Sequence, residues 1–490
     1  MYHWEVVSAL FKENPFVKQH IDSYNEFIDK KIKRIVAEQN GTKSEDRYTI
    51  KFHDVKLGEP SITDPDGSAK KITPAEARLR SRTYAAPIFF DLSIEENGTE
   101  MDRDTIRGGD IPVMLKSKLC YLHEKTADEL IGMGEDPNEH GGYFIVNGTE
   151  RVLVSMEDLA PNRLIVSKEV KGGKHLTVGR IFSSKGGFRA KIVLDRKSDG
   201  TMYLQFPASP KNLNLFIVLK ALGLDGDKKV LESFSDKPEV INDVLLNLEQ
   251  IETVTTEDAL DYIGKRVAAG QPTQYRKQRA EYVLDNYLLP HIGVNDKTRD
   301  NKAHFLSRMA ERCISVAYGK RTEDDKDHYS NKRLKISGTL MDDLFRQALG
   351  YFIKDLKYQI ERAYTRGRKI QIKTLTRPDA MTDRIKYGMA TGTWPGNRQG
   401  VSQLLDRLSY MSTMSHLRRV VSPLSKTQQH FEARDLHPTH WGKICPNETP
   451  EGQNVGLIKN MAIGCFVSAK LHEGLEKDLE EMGVKLLTKL

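Results

Sequence analysis

Eight apolar residues, Leu340, Leu344, Phe345, Ala348, Leu349, Phe352, Leu356 and Ile360, recur at three- and four-residue spacings. That period places them on one face of a single long helix, and a helix with so continuous an apolar stripe is stable only when the stripe is buried. Gly350 falls inside it. A glycine there weakens the helix by about 1 kcal/mol relative to alanine, which predicts close packing as its compensation.

Other segments read differently. Tyr48-Thr49-Ile50-Lys51-Phe52 and Ala86-Pro87-Ile88-Phe89-Phe90-Asp91-Leu92 are extended in pattern, and Ile111-Pro112-Val113-Met114-Leu115 reads as a strand edge. In Gly141-Gly142-Tyr143-Phe144-Ile145-Val146-Asn147-Gly148-Thr149-Glu150-Arg151-Val152-Leu153-Val154, two β-rich runs flank Asn-Gly, which predicts a hairpin closed by a type I′ turn. Short strands and then helical segments over about 157–320 predict a separate α+β module. At 490 residues and 38% hydrophobic content, the chain exceeds one compact core and is too apolar for disorder. Cys120, Cys313, Cys445 and Cys465 lie far apart, so they indicate neither a zinc ribbon nor a disulfide framework and suit a reducing interior. No run reaches the roughly 18 apolar residues of a membrane span, and the start lacks a signal peptide, so a cytoplasmic protein is expected.

Charge is unevenly spread. Over 361–434, fourteen Lys and Arg stand against five Asp and Glu, a net of +9 that exceeds the +7 of the whole chain. Over 223–262 the balance is −8, which predicts an acidic outer module beside a basic working surface. Ten of the fourteen cations are arginine, whose planar fork of donors suits phosphate, and Tyr364, Tyr387, Trp394, Tyr410 and Phe431 are interleaved. Nucleic acid is the ligand class this combination favours over a merely solvated face.

Within 401–420, Val401, Leu404, Leu405, Leu408 and Met411 predict one helix about 30 Å long, with Gln403, Asp406, Arg407 and Tyr410 on another face. Arg418-Arg419 ends it, and residues 424–429 form a polar loop after Pro423. Cys445-Pro446-Asn447-Glu448-Thr449-Pro450-Glu451-Gly452 is dense in turn formers and predicts a rigid loop. Neither Gly319-Lys320-Arg321 nor Gly442-Lys443-Ile444 completes a P-loop, and Asp324-Asp325-Lys326-Asp327 reads as an exposed acidic turn. His437 and His440 match no common zinc spacing. These residues leave open a free-standing nucleic-acid clamp or remodelling factor, and, less favoured, a metalloenzyme.

A longer set of motifs narrows the choice. Thr391-Gly392-Thr393-Trp394, Gly400-Val401-Ser402-Gln403, Ser415-His416-Leu417-Arg418-Arg419, Arg434-Asp435-Leu436-His437-Pro438-Thr439-His440-Trp441-Gly442 and the run 445–456 resemble the fork of the second-largest subunit of multisubunit DNA-directed RNA polymerases. The 141–153 hairpin and Asp327-His328-Tyr329-Ser330-Asn331-Lys332-Arg333-Leu334 resemble two further elements of that family, in the same order. The resemblance implies a multidomain α+β fold of mixed helices and antiparallel sheets. A protrusion would take 1–155 and 325–378, a lobe would be inserted at 156–324, the fork would cover 379–470, and an external region would begin at 471–490. The chain stops at less than half the family's length, so it resembles the N-terminal half, B″, of a split archaeal subunit, or an equal piece of an unsplit one. The basic balance favours a methanogen-like source over a halophile.

The same resemblance implies a chain inactive alone that joins B′, the largest-subunit chains A′ and A″ and small assembly subunits on template DNA, nascent RNA and nucleoside triphosphates. It implies no membrane, no cofactor on this chain, and the catalytic Mg²⁺ on the largest subunit. It places Gln403, Asp406, Arg407, Arg418 and Arg419 in the pocket flanking the RNA, Lys426 on the loop beside downstream DNA, and Arg434 and Glu451 near the hybrid and incoming nucleotide. Asp406 is expected to orient an arginine. The sequence departs from the bacterial pattern at Val421, where a serine is usual, and at Arg407, where a neutral residue is. Both changes fall in what would be the rifampicin pocket, so transcription by the assembled enzyme is expected to be insensitive to rifampicin; inhibition at ordinary bacterial doses would contradict this.

Overall fold

The computed structural model describes residues 3–44, 47–63, 68–171, 173–210, 213–252, 255–468 and 475–483. Of the segment expected to open an external region, 471–474 and 484–490 lie outside the described residues, and a helix spans Leu475–Glu481. The chain forms two compact units, Met1–Asp158 with Leu334–Leu490, and Leu159–Arg333.

In the first unit an antiparallel sheet joins the strands Tyr48–Leu57, Ala85–Glu96 and Thr99–Pro112. Tyr48, Ile50 and Phe52 alternate with less buried neighbours, and the register shifts between Phe52 and Asp54, turning the apolar face inward past a bulge. That face shares one core with the helix Ser337–Thr365, which buries all eight residues of the stripe. Its 29 residues span about 44 Å. Gly350, however, is exposed, with open space where a Cβ would point, so it does not serve close packing. Gly338 does. A Cβ there would lie 1.9 Å from the Ser23 carbonyl oxygen, so the helix Lys18–Glu26 can cross the start of the long helix only at a glycine.

The hairpin forms between Phe144–Val146 and Thr149–Leu153, with Val146 opposite Thr149 and positive φ at both Asn147 and Gly148. Its second strand pairs with Ser402–Leu404, and this overturns the single helix expected over 401–420. The segment is instead a strand, an irregular link, the helix Tyr410–Leu417 and the strand Arg419–Val421. Two local effects defeat the helical period. Backbone pairing to Arg151, Val152 and Leu153 captures its start, and a Ser409/Ser412 capping box begins a new helix. Leu404, Leu408 and Met411 are consequently exposed.

Arg419–Val421 pairs antiparallel with Ile458–Asn460 and parallel with Ser155–Leu159, through Val420 opposite Ser155 and Val421 opposite Met156. Side chains reinforce this joint: Lys459 Nζ lies 2.9 Å from Glu157 Oε1, and both residues are buried.

The second unit is built on a five-stranded antiparallel sheet, Ile165–Lys171, Lys174–Lys185, Phe188–Lys197, Met202–Gln205 and Leu213–Asn214, with helices including Pro238–Glu249, Thr273–Tyr287 and Arg299–Ala317 on its apolar side. It contains the acidic stretch, yet carries 30 Lys and Arg against 23 Asp and Glu, a net of +7, while the first unit has 45 of each. The expected acidic module is therefore a basic one. Several of its acids are answered within the fold: Asp243, 2% exposed, accepts from Arg196 at 2.6 Å and Tyr318 at 3.1 Å, Asp261 pairs with Lys265 and Arg276, and Asp258 caps its own helix. The acidic turn near 325 is likewise used, with Asp324 accepting from the Val166 N–H and Asp325 from those of Asp327 and His328. Among the described residues no helix is long and apolar enough to cross a membrane, and the four cysteines are free thiols.

Removing Lys459 takes from the buried Glu157 carboxylate the ammonium 2.9 Å away, so Lys459→Met is expected to cost about 3–5 kcal/mol. Lys459→Met with Glu157→Met should recover most of that; chemical denaturation of the chain reads both, and equal loss in the single and double variants would refute it.

Candidate nucleic-acid interface

The eight candidate residues lie on the elements between the hairpin and the strand Ile458–Asn460, but the structure gives them different work. Gln403 and Asp406 meet at His416, which is 4% exposed. Its Nδ1 accepts the Asp406 N–H at 3.1 Å and its Nε2–H donates to Gln403 Oε1 at 3.0 Å. Burial, with Arg419 nearby, lowers this imidazole to about 4, so it is neutral near pH 7. Among the described residues Asp406 pairs with no arginine, against expectation. Its carboxylate accepts the Leu408 N–H at 2.9 Å and the Ser412 hydroxyl at 3.2 Å, and these bonds, the Leu408 one first, hold it below the usual carboxylate range.

Arg407 turns toward the hairpin. Its Nε donates to Glu150 Oε2 at 2.6 Å and its Nη2 to the Tyr143 hydroxyl at 2.9 Å. Arg78 grips the other Glu150 oxygen at 2.8 Å and the same phenol at 2.9 Å, so two guanidinium groups share one carboxylate and one hydroxyl. Arg418 is 5% exposed and donates to the carbonyls of Phe16 at 3.0 Å, Ala462 at 2.7 Å and Cys465 at 3.2 Å, fastening the N-terminal segment to 462–465.

Arg434 uses all five of its N–H donors on backbone carbonyls. Nε reaches Gln429 at 2.8 Å, Nη1 reaches Gln453 at 2.8 Å and Val455 at 2.9 Å, and Nη2 reaches Lys426 and Gln428, both at 3.1 Å. The polar loop and the 452–455 turn are thereby closed onto one planar group. Gly456, at φ +70°, is required beside it, because a Cβ would sit 2.2 Å from the Arg434 carbonyl oxygen. An open concavity of about 710 Å³ results, lined by Lys426, Phe431, Glu432, Asp435 and Gln453 among others. The Pro-rich loop is tied down separately: Glu448 Oε1 accepts from Ser415 Oγ at 2.5 Å and Asn460 Nδ2 at 3.1 Å, and Thr449 Oγ1 donates to the Ile458 carbonyl at 2.9 Å.

What is left for a ligand is the remainder. Among the described residues, the Arg419 guanidinium, the Lys426 ammonium and the Glu451 carboxylate make no hydrogen bond or ion pair, and Lys426 and Glu451 are exposed. Lys443 joins them as a cation not singled out from the sequence. Also missed were the residues doing the positioning, His416, Glu150 and Tyr143, whose arginine, Gln403 and Asp406 partners lie 10 to 264 positions away and leave no local signal. Among the described residues no group of three or more His, Cys, Asp or Glu is placed to hold a metal, and His437 Nδ1 is engaged by Thr439.

An unanswered cation at the edge of a concavity, Lys426 on the loop fixed by the Arg434–carbonyl bonds, is chemically suited to a phosphate-bearing chain. Comparison with known proteins gives the family. The family model described as RNA polymerase beta subunit matches residues 15–383, and that for RNA polymerase Rpb2, domain 3, matches 403–467. The chain is 46% identical to DNA-directed RNA polymerase subunit Rpo2N of Methanococcus vannielii, over 98% of each chain, and 47% identical to that of Methanocaldococcus jannaschii, over 95% of each. It is 44% identical to subunit Rpo2 of Saccharolobus solfataricus over 98% of this chain but 43% of that protein. The chain belongs to the RNA polymerase beta-subunit family.

Replacing Arg434 with lysine keeps the charge but loses the five-donor fork. Arg434→Lys is expected to weaken the two loops locally by about 2 kcal/mol, roughly a 30-fold faster amide exchange over 426–429 and 453–455 with the hairpin unchanged. Unaltered exchange there would show that the guanidinium is not the clamp.

Proposed function

We propose that this chain works as the N-terminal half of the second-largest subunit of an archaeal DNA-directed RNA polymerase, forming one side of the nucleic-acid path in template-directed RNA synthesis. The observation carrying this reading is its near full-length similarity to two Rpo2N subunits, together with coverage of under half of an Rpo2 subunit. As a polymerase subunit it is part of a nucleotidyltransferase and requires other polymerase subunits. The finer assignment names these as B′, A′, A″ and the small assembly subunits, with template DNA, nascent RNA and nucleoside triphosphates as ligands, Mg²⁺ on the largest subunit, and the cytoplasm as location. The unit Leu159–Arg333 would be the lobe, and the other would hold protrusion and fork.

Within the fork, Arg419 and Lys426 supply charge to backbone phosphates, because their cations are not answered by protein. Glu451, exposed on the rigid loop, faces the incoming nucleotide. Arg407, Arg418 and Arg434 act at one remove by holding the loops that present these groups, and Gln403 and Asp406 act through His416 in the same way. No base is read by such contacts, as a polymerase that copies any template requires.

Two measurements on one preparation test this. The tagged chain purified from native extract should bring down B′ and the largest-subunit chains by mass spectrometry, and the assembled enzyme should transcribe. In that enzyme Arg419→Ala should weaken template binding evenly across sequences and make its dependence on log salt shallower by about 0.9, at unchanged stability. A chain recovered without polymerase subunits would reject the function; an unchanged salt slope would reject the role of Arg419.

A further inference from the structure

A second group of unanswered cations lies at the other end of the long helix. Arg362 occupies its last turn, Arg366 is its C-cap, and Arg368 and Lys369 follow Gly367, whose positive φ ends the helix with the Arg368 N–H bonded to the Ala363 carbonyl. All four are exposed, and among the described residues none makes a side-chain hydrogen bond or ion pair. The segment is fixed in place. Ile372 just beyond it is fully buried, and its N–H donates to Asp102 at 2.8 Å.

Among the described residues, several acids of the sheet that shares the helix's core are already engaged. Glu96 accepts from Arg47 and Glu95 from Lys51, both at 2.6 Å, while Asp91 pairs with Arg103 at 2.7 Å and Asp104 with Lys373 at 2.8 Å. Arg47 also lies 4.5 Å over the ring of Tyr364, which is half exposed, so an aromatic face capped by a Glu96-paired guanidinium flanks the four cations. The favourable field of a helix C-terminus accounts for a cation in the last turn, worth about 0.3–1 kcal/mol, but it fades within that turn and does not explain three more beyond it.

We infer that Arg362, Arg366, Arg368 and Lys369 form a second phosphate-binding surface, which takes the backbone of duplex DNA flanking the template segment held at the fork. This goes beyond the proposed function and rests on it for the identity of the polyanion. The helix links the two surfaces. Ser337 at its start bonds to His20, which bonds to the carbonyl of Leu417, two residues before Arg419, and the far end lies about 44 Å along the helix axis. That length corresponds to roughly 13 base pairs at 3.4 Å each, so short flanks fall short of the surface.

The test uses the assembled polymerase and templates with 5 or 40 base pairs of flanking duplex on each side, titrated between 50 and 200 mM salt. The wild type should bind the long template with the steeper salt dependence. Changing all four residues to alanine should leave short-template binding and transcription intact and flatten the long-template slope by about 3.6, so that the fourfold rise in salt weakens the variant roughly 150-fold less than the wild type. The variant with lysine at Arg362, Arg366 and Arg368 should keep the steep slope, and serves as the folding control. Equal slopes for wild type and alanine variant on the long template would overturn the inference, including the case in which the variant loses an acidic protein partner instead. Short-template binding reads the proposed function separately.

Discussion

One buried imidazole joins segments that are remote in sequence. His20, fully buried, accepts the Ser337 hydroxyl on Nδ1 and donates from Nε2 to the Leu417 carbonyl at 2.7 Å, so the helix Lys18–Glu26, the long helix and the end of the helix Tyr410–Leu417, just before Arg419, meet at a single ring. Burial lowers that ring to about 4, so it is neutral near pH 7 and holds both bonds without a buried charge. The glycine at 338 makes the arrangement possible, because the two helices approach at the residue next to Ser337. Displacing either helix would carry Leu417 with it, and Arg418 and Arg419 follow Leu417 directly.

Arginine serves two ends in this fold, and the difference is visible in what its donors meet. Arg434 and Arg418 face carbonyls that no helix or sheet satisfies, and one planar group closes several irregular turns at once, which a lysine's single point of charge would not do. Arg407 is drawn into a carboxylate and phenol cluster with Arg78. Along the strand at Arg419, where the surrounding backbone is already satisfied, the guanidinium remains available to a ligand.

Much of this was legible from the residues. The stripe from Leu340 to Ile360 and the Asn147-Gly148 turn are local patterns with one physical solution each, and both formed as the pattern requires. The segment 401–420 was not legible, because its helical period competes with a pairing to Arg151, Val152 and Leu153 that no window around residue 403 contains. Gly350 and Gly338 look alike in sequence, and only the Ser23 carbonyl distinguishes them. The candidate site shows the same divide. The motifs singled out the loops, but whether an arginine on such a loop is a ligand or a clamp depends on carbonyls supplied from elsewhere in the chain.

Net charge misleads for the same reason. The unit that carries the candidate interface has equal numbers of acids and bases, and the unit with the acidic stretch is the basic one. A phosphate does not respond to a total. It responds to cations within about a Debye length that are not already neutralised, and screening removes the rest. Pairing therefore decides where a balanced surface attracts an anion: Lys51, Arg103 and Lys373 are cancelled in place by Glu95, Asp91 and Asp104, whereas Arg419, tied to one end of the long helix through Leu417 and His20, and Arg362, Arg366, Arg368 and Lys369 at the other end, are not. A rigid helix between two such ends fixes their separation, which turns two local excesses of charge into a defined spacing along any polyanion that reaches both.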